Sequence, residues 1–180
     1  MRLAAALVAL LLAWGARAQT EETRSLETEG GGRITYVLRV HPADAHVVQP
    51  AAKLAPTSAL DTAKLISLHL STGDIEEAAL LSNAPRRRYE VLSDYRKTVG
   101  EEEFKRVFAS YLVPETRLVA EIVIGQHRLL IWELRQAKSQ LAGQFFVEVE
   151  GRYLIDDVPN QERTSLRQVL EAYRSGKLPR

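Results

Sequence analysis

The chain is 180 residues long, 46% hydrophobic and 26% charged, with 24 basic residues against 23 acidic ones and a net charge of +1. So even a balance gives no overall bias toward nucleic acid or an anionic membrane, and the lack of cysteine excludes both a disulfide framework and lipid attachment through a thiol. The length suits one domain, since domains usually run to about 100–200 residues.

Met1-Arg2 supplies a short positive start, Leu3 to Trp14 is an unbroken apolar run, and Gly15-Ala16-Arg17-Ala18 puts small residues at the two positions a signal peptidase reads. Residues 1–18 are therefore expected to be a secretory signal peptide cleaved between Ala18 and Gln19. A retained anchor is disfavoured because a membrane span needs about 20 apolar residues, more than this run supplies. The expected destination is the periplasm or the extracellular space, with no stable membrane anchor after cleavage and no nucleic acid as partner. Trp132 is then the one remaining tryptophan.

Residues 19–32 are polar and acidic and end in three glycines, which predicts a flexible leader unable to bury enough apolar surface to order itself. Ile34, Tyr36, Leu38 and Val40 alternate within Arg33 to Val40, the period-two mark of a half-buried strand. Pro42, Pro50 and Pro56 then mark an extended linker, so that residues 33–57 read as a strand followed by a Pro/Ala-rich connection.

Helical signals begin at Thr57-Ser58, either of which can cap a helix running to about Leu70, and Gly73 stops it. Asp74 can cap a second helix over 75–82 ahead of Pro85. Tyr89, Leu92, Tyr95 and Val99 recur at three- and four-residue spacing on a third, and a fourth over 101–111 carries acids in its first turn, where the helix dipole favours them. Beyond Pro114 the period becomes strand-like. Residues 116–124 and 128–134 read as a hairpin turning at Gly125-Gln126, and 145–149 and 152–155 as a second turning at Glu150-Gly151. A last helix is expected over 164–174. The predicted fold class is α+β: several N-terminal helices packed on a curved antiparallel sheet of about four strands, with a C-terminal helix, in a domain spanning 58–176.

The succession LISLHLSTGDIEEAALLSNAPRRRYEVL, in which a helix, a Gly-Asp break and an Ala-rich second helix follow one another, resembles the cystatin-like α+β cone of nuclear-transport-factor-2-like domains. The hairpins GQHRLLIWEL and FFVEVEGRYLID are similar to its sheet. The likeness covers roughly 58–155, leaving the strand at 33–40 and the final helix outside it. It implies an exported bacterial domain of that superfamily, many of which have no known activity. No position matches the catalytic pattern of the superfamily's isomerases, so no residue role is carried over, and fold alone does not carry function.

Pocket candidates are Trp132, Glu133 and Tyr89. A two-residue turn at Gly125-Gln126 would pair Leu118 with Glu133 and set that carboxylate beside Ala120, Ile122, Leu129 and Ile131, where it could act as a base; Arg117 or Arg135 could equally neutralise it. His41, Asp44 and His46 offer three metal-ligand types within six residues, but a linker does not hold the fixed shell a zinc site needs, and no metal or other cofactor is predicted. His69 reads as a packing or surface residue and His127 as exposed after the turn, Glu121 and Glu148 as the solvated face of strands, and Arg86-Arg87-Arg88 as a solvated run able to meet an acidic partner or phosphate. The leading functional reading is a non-enzymatic exported domain binding a small apolar ligand or an envelope protein partner. The alternatives are a cofactor-free isomerase, dehydratase or hydrolase, and a structural module pairing through strand 33–40.

Overall fold

The computed structural model describes residues 20–28, 30–48, 53–134 and 140–178. Two strands come first, β1 (Thr20–Glu27) and β2 (Arg33–Val40). Helices α1 (Ala59–Thr72), α2 (Ile75–Leu80), α3 (Pro85–Val99) and α4 (Glu101–Ala109) follow, closed by a 3-10 turn at Ser110–Leu112. Strands β3 (Arg117–Ile124), β4 (His127–Leu134), β5 (Gln140–Val149) and β6 (Arg152–Ile155) then lead to α5 (Gln161–Arg174). Among the described residues six strands form one antiparallel sheet in the order β1-β2-β3-β4-β5-β6.

This corrects the expected fold. The helices are not an N-terminal layer laid over about four strands; α1 to α4 are an excursion between β2 and β3, which pair with each other in the sheet through Val37 with Val123, Leu38 with Ile122 and Arg39 with Glu121. The polar stretch expected as a flexible leader contributes β1, in register with β2 from Thr20 opposite Val40 to Glu27 opposite Arg33. Composition misleads here because β1 is an edge strand held by its ladder and by charge rather than by a buried stripe. Arg39 Nε lies 2.8 Å from Glu21 Oε1, Arg33 Nε 2.7 Å from Glu27 Oε1 and Arg24 Nη2 2.8 Å from Glu22 Oε2. Such charges also blunt an exposed edge.

The helix boundaries follow local chemistry. Ser58 Oγ accepts from the Asp61 N–H at 3.0 Å and starts α1, and Gly73, at φ +88, ends it in the left-handed conformation that costs a glycine nothing. Asp74 caps α2 in the same way, through the Glu77 N–H. Asn160, whose Oδ1 accepts from the Arg163 N–H at 2.7 Å, starts α5 three residues before Thr164.

Helices cover the sheet on both faces. Leu118, Leu130, Trp132, Phe146 and Ile155 pack against Ile66, Leu70, Ile75, Leu92 and Phe104 of the α1–α4 layer. On the other face Tyr36, Leu38, Ile122, Leu129 and Ile131 pack against Leu166, Val169, Leu170 and Tyr173 of α5. The continuous apolar run Leu129 to Trp132 is explained by this, since a strand buried on both faces needs no alternation.

Candidate functional site

The three pocket candidates are not brought together. Trp132 is buried, donates from Nε1 to Gln144 Oε1 at 3.0 Å, and meets the rings of Tyr111 and His46 edge-on at 5.6 and 6.1 Å. Glu133 points to the opposite face. A bulge between Leu118 and Ala120 shifts the hairpin register, so Arg117, not Leu118, stands opposite Glu133. Arg117 donates to Glu133 Oε2 from Nε at 3.0 Å and approaches it with Nη2 at 2.9 Å, so the carboxylate is an ion-pair partner at the sheet end. Tyr89 is 40% exposed on α3. Ala18 and Gln19 lie outside the described residues.

The histidines differ from their sequence reading. His46 is fully buried, with Nε2 donating to the Val113 carbonyl at 2.9 Å, so it anchors the connection after β2 to the core. His41 Nε2 lies 2.8 Å from Glu121 Oε2, and Glu121, expected on a solvated face, is buried between Arg39 and Arg128. His127 is also largely covered and bonds the buried Asp156 through Nδ1 at 2.9 Å. Among the described residues no three side chains form a group able to hold a metal ion.

The site that emerges lies along β5. Strand β6 pairs only with Phe146 to Val149, so the first part of β5 has no partner strand on that side among the described residues. Leu141 and Phe145 turn their carbonyls outward there, to Arg174 Nε at 3.0 Å and the Asp156 N–H at 2.9 Å. By the alternation of a strand, the backbone of Gly143 faces the same way. Beside this edge runs a cleft of about 340 Å³. Ile66 and Leu70 of α1, Ala78 of α2, Leu92 of α3, Phe108 of α4 and Tyr111 make its apolar wall, Gly143 to Phe145 its floor, and Arg88, Asp156 and Arg163 its polar end. Trp132 stands one layer behind, touching the lining residues Gln144 and Tyr111.

The polar end is organised by the turn after β6. Asp156, fully buried, accepts from Asn83 Nδ2 at 3.0 Å and Asn160 Nδ2 at 3.0 Å besides its contact with His127. Asp157 receives Arg88 through both Nε, at 2.7 Å, and Nη2, and Ser82 Oγ at 2.7 Å. Arg88 is thereby drawn out of the predicted basic run, while Arg86 pairs with Glu90 along the helix. Arg163 stacks its guanidinium 5.5 Å over the Phe145 ring, and its buried Nε makes no hydrogen bond. Burial pulls the Arg163 pKa below its ordinary value, opposed by the charges of Asp156 and Asp157. Sequence reading missed Arg163 and Gln144, because nothing in a lone arginine on a helix or a glutamine on a strand marks a cleft that three distant segments build.

A larger hollow, about 640 Å³, lies between the β1–β2 turn and α5, among exposed side chains such as Glu27, Arg167, Gln168 and Lys177. Apolar walls with a few converging polar groups are the usual character of a small-molecule site, and the β5 cleft has it. No helix among the described residues is long and apolar enough to cross a membrane. Comparison of the chain with protein-family models, with curated proteins and with solved structures finds no match in any of the three, and no superfamily is identified by them.

Proposed function

We propose that the protein is an exported, non-enzymatic binding domain that takes a small, largely apolar ligand in the cleft beside β5. The observation that carries this reading is the cleft itself: an apolar wall drawn from α1 to α4 and Tyr111, facing a strand edge that has no partner strand among the described residues, of a size within the range of small-molecule sites. An enzyme with Glu133 as base gains no support, since Arg117 pairs that carboxylate on the sheet face opposite the cleft wall. Pairing through residues 33–40 gains none either, because β2 has β1 on one side and β3 on the other.

The neutral probe N-phenyl-1-naphthylamine tests the reading. Saturable enhancement of its fluorescence with a parallel change in Trp132 emission is expected, because Gln144 and Tyr111 connect the cleft to that ring. Phe108→Ala, which removes part of the wall, is expected to weaken probe binding about tenfold, the effect of losing about 1.4 kcal/mol. Linear, non-saturating enhancement would dismiss the cleft as a site. The outward backbone of Gly143 favours a second reading, in which an envelope protein partner adds an extended segment to β5. Export rests on the N-terminal pattern. Mass spectrometry of the protein recovered from outside the cytoplasm should find Gln19 as its first residue; an intact Met1 to Ala18 would refute it.

A further inference from the structure

We infer that the cleft selects ligands carrying a carboxylate, with Arg163 as the cation that receives it; the inference rests on the ligand-binding reading above. Buried donors in folded proteins are almost always hydrogen-bonded, and the Arg163 Nε is an exception. The side chain is nevertheless held in place, because its guanidinium lies over the Phe145 ring at the polar end of the cleft. A fixed planar fork with donors to spare suits a carboxylate, which can accept two parallel N–H bonds.

The protein's own acids are already committed. Asp157 is taken by Arg88 and Ser82, and Asp156 by Asn83, Asn160 and His127. The charges that act on Arg163 are those of Asp156, Asp157, Arg88 and Arg167. Asp156 and Asp157 act on Arg163 through their charge alone, without a hydrogen bond to it. Arg163 is half-buried, and attraction between charges is stronger there than at a fully open surface. Away from the polar end the cleft wall is aliphatic and aromatic, with Gln144 on the floor, so the ligand class is a monocarboxylate with an aliphatic or aromatic body.

Decanoate, decanol and acetate, each below any micelle-forming concentration, test this by displacing N-phenyl-1-naphthylamine from the purified protein. Decanoate is expected to bind at least about tenfold more tightly than decanol, and acetate to displace nothing. Arg163→Gln should abolish the preference for decanoate, costing decanoate about tenfold more affinity than it costs decanol, and Arg163→Lys should retain part of it. Decanol binding through the unchanged wall also verifies that each variant is folded, and the far-ultraviolet dichroism melt of each provides a second check. Equal affinity for decanoate and decanol, or a preference that survives Arg163→Gln, overturns carboxylate selection but leaves the apolar cleft standing. Failure of both ten-carbon probes to displace the dye overturns the cleft as a binding site, and this inference with it.

Discussion

Gly143 is the residue on which the two sides of β5 depend. A Cβ there would come 2.5 Å from Leu170 Cδ2 and 3.0 Å from Leu129 Cδ1, and both leucines are buried in the core under α5. Without a side chain at 143, α5 settles close against the strand while the backbone stays open toward the cleft. Gly143→Ala is therefore expected to destabilise the fold by about 1–3 kcal/mol, the usual range for overpacking, as a lower urea midpoint. Glu133→Gln is expected to leave probe binding unchanged, because the carboxylate and its Arg117 partner sit on the sheet face away from the apolar cleft wall; a change above about twofold would contradict that placement. Sequence alone singled out Glu133 and passed over Arg163, because a two-residue turn implies one register. The bulge between Leu118 and Ala120 altered the pairing, and no single residue in the run Leu118-Val119-Ala120 announces it.

Elements are where the chain is most readable. Caps at Ser58 and Asp74, the stop at Gly73 and the turn at Gly125-Gln126 are each set by residues within a few positions, and the local chemistry that names them also forms them. The β5–β6 turn shows a local cost: Glu150, at φ +51, is the non-glycine residue described in the left-handed region, followed by Gly151 at φ +76. Two positive φ values in a two-residue hairpin turn favour Asn-Gly. Glu150→Asn should thus raise stability by about 0.5–1 kcal/mol, read as a higher thermal midpoint, and no gain would mean that the left-handed residue costs nothing here. β1 escaped the same kind of reading because its stability is borrowed from β2 through a ladder and ion pairs that composition does not display.

At the scale of the whole molecule, burial under α5 ties stability to alkaline pH. Tyr36 and Tyr173 sit in the core on that face, and burial raises the pKa of both; Tyr111, beside the cleft, is raised for the same reason. A folded-state value above the unfolded value of about 10 means that the folded state holds the proton more tightly. The contribution is complete below about pH 10 and is lost as the pH climbs through the folded values, so unfolding is expected to set in on that alkaline limb. Tyrosinate absorbance should rise together with the loss of dichroism; full tyrosinate formation in a chain that remains folded would contradict the burial of these hydroxyls.

The order of strands in the sheet, the two-sided cover and the cleft required the folded chain. Residues 40 and 117 lie far apart in sequence, yet the strands they border are neighbours, and α1–α4 leave the sheet and return to it without any sign in the periodicity of either strand. What the sequence by itself determined is local: the helices with their caps, the tight turns and the apolar run that becomes β4. Tertiary structure decided which strands meet, that helices occupy both faces, and that Arg88, Asp156 and Arg163 converge at the end of β5. The physical reason is range, since caps and turns act over a few residues, whereas registers and clefts are set by burial and pairing between segments that only the folded chain brings together.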